Sequence, residues 1–328
     1  MKTIKEITLA AVLFALSVVA AAQCKIEGSG AARSLTLGGR PFIILGGELG
    51  NSTASSDEEV DAVFPKLKAM GLNTVLAPAY WDLMEPEEGR FDFHQVDKVI
   101  SSARDNGLHV VFLWFGAWKN SMSCYAPEWF KTDVKRFPRA RTRSGKTMEI
   151  ASCVSPSVFN ADAKAFEAFV EHIADAEKDG TVVMLQIENE IGMLESARDY
   201  SPESEKLFRS AVPAGLTSYL RKNKKSLHPD FAKLWADHGG KQSGTWDEMF
   251  GSDIFADEVF QAYQYALYVG RLADVARRHV SCPLYVNAAM NSRGRRPGQY
   301  PAAGPLAHLI DLWRAGAPSL DFISVTTI

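Results

Sequence analysis

The sequence predicts an α/β chain folded as a (β/α)8 TIM barrel in which about six of the eight βα units are present. Three observations carry this expectation. Short apolar runs alternate with helical stretches, as they do around a parallel sheet. The connections carry polar loops rather than hairpin turn signals. No G-x-G-x-x-G or phosphate loop follows the first strand, which argues against a doubly wound nucleotide-binding sheet.

Phe42-Ile43-Ile44-Leu45 reads as the first strand, ending in Gly46-Gly47-Glu48. A helix from Asp57 to Met70 follows, with apolar spacing at Val60, Val63, Phe64 and Leu67 and a stop at Gly71. Asn73–Leu76 is the second strand, 77–90 a polar and aromatic loop, and Gln95–Asn106 a helix stopped by Gly107. His109–Trp114 is the third strand. A loop from Gly116 to about Asn160 comes next, of a length that usually carries function. Ala161–Lys178 is helical and Val182–Ile187 is the fourth strand. Residues 195–255 read as an insertion, followed by a periodic helix from Asp257 to Arg278. Pro283–Val286 is the fifth strand, ending at Asn287. After a Gly/Pro-rich loop and a helix near Leu306–Arg314, Leu320–Ser324 starts the sixth.

The chain has 328 residues, 46% of them hydrophobic, and a formal net charge of −3, which is no footprint for nucleic acid. Residues 1–22 read as a signal peptide: Lys2 and Lys5, an apolar stretch from Ile7 to Val19, and the small-residue exit Ala20-Ala21-Ala22. The apolar run is short for a bilayer span, so the expectation is a secreted or periplasmic protein that leaves the membrane after cleavage. Residues 23–328 are then the partial barrel domain. Cys124 and Cys153 are candidates for a disulfide in an oxidising compartment. No Cys/His cluster suggests a metal site, and no cofactor is expected.

Active sites of such barrels are built at the C-terminal ends of the strands. Those ends carry Glu48 with Asn51 beyond it, Tyr80 with Trp81 and Glu85, Trp118, Asn189 with Glu190, and Asn287. Carboxyls, amides and aromatics in that combination outline a sugar site. The most informative stretch is Gln186-Ile187-Glu188-Asn189-Glu190, at the end of the apolar run from Thr181 to Leu185. Breaking a glycosidic bond needs a carboxylic acid to protonate the leaving oxygen and a second carboxylate across the ring. Glu190 is the candidate acid/base. Asn189 is placed to donate to a sugar hydroxyl, and Glu188 reads as support that holds a neighbouring backbone group or an Arg. Trp81 and Trp118 offer flat faces to a pyranose.

Gln186–Gly192 resembles the Q-I-E-N-E-Y-G signature of glycoside hydrolase family 35, the β-galactosidases. Met70–Val75 and Tyr80–Pro86 are similar to that family's M-G-L-N-x-V and W-N-x-H-E-P blocks, and the likeness extends over roughly Arg33 to Ser324. The resemblance implies a retaining β-glycosidase that hydrolyses terminal β-galactosides, with Glu190 as acid/base and Glu85 in contact with the sugar. Two departures are plain. Gly50-Asn51 stands where the family has His-Tyr, and Lys119–Cys124 replaces A-E-W-x-x-G-G. Gly116–Asn120 and Ala126–Phe130 look closer to a divergent bacterial branch between families 35 and 42, so a family 42-type β-galactosidase is the neighbouring expectation. In these enzymes the nucleophile is a Glu at the end of the seventh strand. It is therefore expected beyond residue 328, and the alternative expectation is an inactive or carbohydrate-binding fragment.

Overall fold

A computed structural model describes residues 23–177 and 179–325, and the expected signal peptide lies outside them. Its centre is one parallel sheet. In chain order the strands are β1 (Cys24–Glu27), β2 (Ser34–Leu37), β3 (Arg40–Pro41), β4 (Gly46–Glu48), β5 (Thr74–Tyr80), β6 (His109–Phe115), β7 (Arg139–Arg141), β8 (Thr147–Ala151), β9 (Val182–Gln186), β10 (Leu284–Ala288) and β11 (Phe322–Val325). Six of them form the sheet in the order β11-β10-β9-β6-β5-β4, every neighbouring pair parallel. With a helical crossover between each pair, this is an incomplete (β/α)8 barrel.

The crossovers follow the periodicity of the chain. Asp57–Ala69 buries Val60 and Phe64 and is capped by Ser56, whose side chain accepts from the Glu59 amide at 3.3 Å. His94–Asp105 buries Val96, Val99, Ile100 and Ala103. Pro156–Ala176 packs on β6, with Phe166 and Phe169 against Trp114 at ring separations of 5.3 and 5.4 Å. Between β9 and β10 lie four short helices, Pro202–Phe208, Ala214–Asn223, Pro229–Asp237 and Trp246–Phe250. The long buried helix Ile254–Ala276 follows them. Ile310–Gly316 is the crossover to β11.

Three expectations need correction. The first barrel strand is Gly46–Glu48, not Phe42–Leu45. Ile43 and Leu45 are 76% and 55% exposed, while Gly46, Gly47 and Glu48 pair with Thr74, Val75 and Leu76. Glycines carry no side-chain pattern, so a strand held by its backbone alone is invisible to periodicity. The chain is also not free of hairpins. β1, β2 and β3 form a small antiparallel sheet, and β7 and β8 form a second within the long loop after β6. Finally, Cys124 and Cys153 are not bonded: Cys124 is exposed, whereas Cys153 is buried with its Sγ accepting from Gln261 Nε2 at 3.2 Å.

Candidate active site

The loops after β6 and β9 meet at the C-terminal face of the sheet, and there the backbone is under strain. Non-glycine residues with left-handed φ are uncommon and collect at functional sites. Four of the six among the described residues lie here: Asn120 (φ 51°) and Ser121 (60°) on one loop, Glu188 (58°) and Glu190 (48°) on the other. The loops are laced together by backbone hydrogen bonds. The Asn189 amide donates to Trp118 O at 3.3 Å, and the Asn120 amide donates to Asn189 O at 3.1 Å. These turns end the alternation of β9 at Gln186, so Glu188 and Glu190 do not share a face as the strand rule alone would have it.

Glu188 goes inward and is fully buried. One oxygen accepts the Trp118 amide at 2.8 Å, and its carboxyl faces that of Asp162, also fully buried. Asp162 accepts from Trp114 Nε1 at 3.0 Å and from Tyr268 OH at 2.6 Å. Two carboxyls in contact away from water cannot both ionise. Burial first, and then the mutual repulsion, pushes Glu188 well above the ordinary carboxylate range, and burial also raises Asp162. The pair supports the loop from beneath. Space is tight at this point. A Cβ on Gly116 would lie 2.1 Å from Trp114 Nε1 and 2.7 Å from Asp162 Oδ1, so only glycine lets the β6 loop pass.

Glu190 goes outward and is half-buried. Its amide donates to Asn287 Oδ1, at the end of β10, at 2.8 Å, which fixes the turn. Its carboxylate accepts no hydrogen bond among the described residues and sits in the field of Lys119 and Glu48. Lys119 is 6% exposed, donates to Asn120 Oδ1 at 2.6 Å and lies 4.9 Å over the Phe115 ring. Burial lowers its ammonium pKa, against the pull of Glu190, Cys124 and Glu48. Glu48, at the end of β4, is raised by burial, drawn down by Lys119 and pushed up by Glu190. Asn189 is 2% exposed, and its Oδ1 has no hydrogen-bond partner among the described residues. A buried amide oxygen left unpaired costs about 1–3 kcal/mol and marks a place where a ligand donor belongs.

The structure therefore brings together Glu48, Asn189, Glu190 and Asn287 from three strand ends, those of β4, β9 and β10. The residues after β5 do not join them. Trp81 is fully buried against Trp129 and Phe130, at ring separations of 5.8 and 4.9 Å. Its Nε1 donates to Glu85 Oε2 at 2.8 Å, while Glu85 Oε1 accepts the Gly89 amide at 2.8 Å. Glu85 is 1% exposed with both oxygens engaged inside its own loop, which it closes. Tyr80 is buried between Phe115 and Tyr125. Trp118 is buried edge-on to Tyr265 and Tyr268 and offers no open face. Asn51 is exposed at the lip, where its carbonyl accepts from Tyr125 OH at 3.4 Å.

Two site residues escaped the sequence reading. Asp162 had a signal: it sits on the apolar face of its helix, between Phe159 and Phe166, where an acid requires a partner. Lys119 stands out only as a cation directly after Trp118 in the loop past β6.

A glycoside hydrolase 42 family model, described as beta-galactosidase, matches residues 52–240, more than half of the chain. Among curated proteins, human "Beta-galactosidase-1-like protein 3" is 29% identical over 201 residues, covering 59% of this chain and 29% of that protein. "Beta-galactosidase" of Xanthomonas manihotis is 26% identical over 192 residues, covering 56% of this chain and 29% of that protein. The chain thus spans about three tenths of the length of these relatives. Solved β-galactosidases share the fold. The enzyme of Halorubrum lacusprofundi superposes with a TM-score of 0.57 at 19% identity, over 87% of this chain and 40% of that one. That of Bacillus circulans gives 0.54 at 16%, over 87% and 40%. The family match lies on the family 42 side of the likeness that the motifs carry, and the chain belongs to the glycoside hydrolase 42 β-galactosidase family.

Proposed function

We propose that this chain carries the acid/base half of a retaining β-galactosidase that acts on terminal β-galactosides of glycans. The observation that carries the reading is Glu190: a half-buried carboxylate without a hydrogen-bond partner among the described residues, held by a strained turn at the C-terminal end of a barrel strand. A side chain that accepts nothing from its surroundings is free to hold and release a proton.

In the proposed mechanism Glu190 protonates the glycosidic oxygen as the bond to the leaving group breaks. It later takes the proton from the water that attacks the anomeric carbon. Asn189 accepts from a sugar hydroxyl through its unpaired Oδ1 and so places the ring against Glu190. Asn287 holds the Glu190 backbone, and the Glu188–Asp162 pair holds the loop beneath it. Lys119 offsets the charge that Glu48 and Glu190 bring to one cleft. A second carboxylate takes the sugar as the leaving group departs and releases it to water. The family 35-like signature at Gln186–Gly192 and the family 42 match both support galactosides as the substrate class.

A leaving-group series on Glu190→Gln tests the reading. Without a proton donor, turnover of alkyl and sugar β-galactosides falls by about 10²–10⁴, while dinitrophenyl β-galactoside, whose leaving group needs no proton, is far less affected. An equal loss on every substrate, or no loss at all, removes Glu190 from the role.

A further inference from the structure

The loop after β10 carries Arg293, Arg295 and Arg296 within four residues, and all three are exposed. Arg295 Nη1 donates to Gln299 O at 3.3 Å; among the described residues the side chains of Arg293 and Arg296 have no partner, and none of the three is in an ion pair. The backbone beneath them is nevertheless fixed. The Arg295 amide donates to Ser292 O at 3.2 Å, the Gln299 amide to Arg296 O at 2.9 Å, and the Arg296 amide to Gln299 Oε1 at 2.9 Å. Gly298, with φ 86°, presses on the loop after β9, where a Cβ would lie 2.9 Å from the Ser196 carbonyl carbon.

Both ends of this loop are joined to the turn that carries Glu190. Asn287, just before it, accepts the Glu190 amide at 2.8 Å. Near its far end Ala302 exchanges both backbone hydrogen bonds with Met193 at 2.8 Å, and Gly298 O accepts the Glu195 amide at 3.2 Å. The three arginines therefore stand on a rim that is built into the same face of the sheet as the candidate site.

The charge around the rim decides what it can hold. Arg295 shares a hollow with Asp230, Lys233, Asp237 and Glu258. Most of that charge is spent internally: Lys233 pairs with Asp237 at 2.6 Å, and buried Glu258 is engaged by Tyr300 and His308 at 2.9 and 3.0 Å. Asp230, with its side chain 79% exposed, is the acid that remains. Set against one carboxylate, three guanidinium groups leave the rim positive on a chain whose formal net charge is −3. The planar fork of arginine matches carboxylates and other oxyanions in pairs of hydrogen bonds, and three forks close together suit charges repeated along a chain. A nucleic acid fits less well. Tyr300, the aromatic residue of this loop, is buried and offers no ring for bases to stack on, and the net negative charge repels so dense a polyanion. We propose that residues 292–299 form a binding surface for an acidic polysaccharide, whose carboxylate or sulfate groups the three arginines hold. That the captured glycan presents a terminal β-galactoside to the cleft rests on the reading of Glu190 as the proton donor; the capture itself does not.

Calorimetric titration with sodium polygalacturonate, with a sulfated galactan and with an uncharged β-galactan tests it. At least one of the acidic chains binds about tenfold more tightly than the uncharged one, and which of them does so names the anion. That binding weakens about tenfold between about 50 and 200 mM NaCl, as counterion release requires. Joint replacement Arg293→Gln, Arg295→Gln and Arg296→Gln removes the preference and leaves the unfolding midpoint in place, since these side chains are exposed. An uncharged galactan that binds as tightly as the acidic chains overturns the surface, as does a triple variant that keeps the preference. Equal affinity for a short DNA duplex, or no binding of any acidic chain, overturns it too. Binding is read without turnover, so a failed leaving-group series on Glu190 removes the link to catalysis and leaves the surface standing.

Discussion

The loops after β5 and β9 carry similar chemistry and use it in opposite ways. Both pair glutamates with residues of the kind that sugar sites are made from. After β5, Glu85 is surrounded by donors, Trp81 Nε1 and the Gly89 amide, and the loop closes over it. After β9, two left-handed residues turn the chain so that one oxygen of Glu188 takes the Trp118 amide below, while the Glu190 carboxylate and Asn189 Oδ1 find no hydrogen-bond partner among the described residues. What separates a structural carboxylate from the proposed proton donor here is whether the fold has already satisfied it. Residue type is the same in both loops.

Three substitutions break or sharpen this contrast. The largest effect is expected after β5. Trp81→Ala empties a fully buried aromatic site and costs about 3–5 kcal/mol of stability, read from denaturant unfolding; a loss below 1 kcal/mol would mean that this loop is not the packed element seen here. Next is Asn189→Ala, which removes a hydrogen bond to a sugar hydroxyl that strengthens in the transition state and is worth about 1.5–3 kcal/mol there. It lowers kcat/KM for a galactoside by about 10–150-fold, with the unfolding midpoint unchanged or raised because an unpaired oxygen is gone. If stability drops with activity instead, Asn189 belongs with Glu85 as a structural group.

The smallest effect separates Glu188 from Glu190. Glu188 has a folded-state pKa above its unfolded value of about 4.3. Stability from its bound proton is fully present below that unfolded value and is lost as pH rises through the raised folded one. Glu188→Gln keeps an acceptor for the Trp118 amide and removes the titration. The difference in Tm between wild type and Glu188→Gln should therefore move against the wild type as pH rises from 4 to 8, by a few degrees. A flat difference would show that Glu188 and Asp162 do not share a proton.

Local pattern served well where one rule governed a whole element. The helices Asp57–Ala69 and His94–Asp105 lie within a residue of their expected bounds, because apolar periodicity and a glycine stop agree. β6 and β9 are also within a residue, since an apolar strand buried on both faces is hard to mistake. The reading failed where pairing is carried by backbone alone, as in Gly46–Glu48, and where strands of two to four residues are too short for a pattern, as in β2, β3 and β7. In the site, Asn189, Glu190 and Asn287 were legible as polar groups at the ends of apolar runs. Lys119 and Asp162 were not singled out, since each acquires its meaning from a partner in another element.

By itself the sequence determined the alternation of barrel strands and crossover helices after the first strand and the placing of an Asn-Glu pair at a strand end, because periodicity and end signals are local properties. Only the tertiary structure decided which carboxyls are spent. The Glu188–Trp118 contact spans 70 residues of chain, and the field on Glu190 comes from β4 and from the loop after β6. Burial and charge at such points depend on neighbours that the fold alone supplies, and it is these that leave Glu190 free while Glu85 and Glu188 are held.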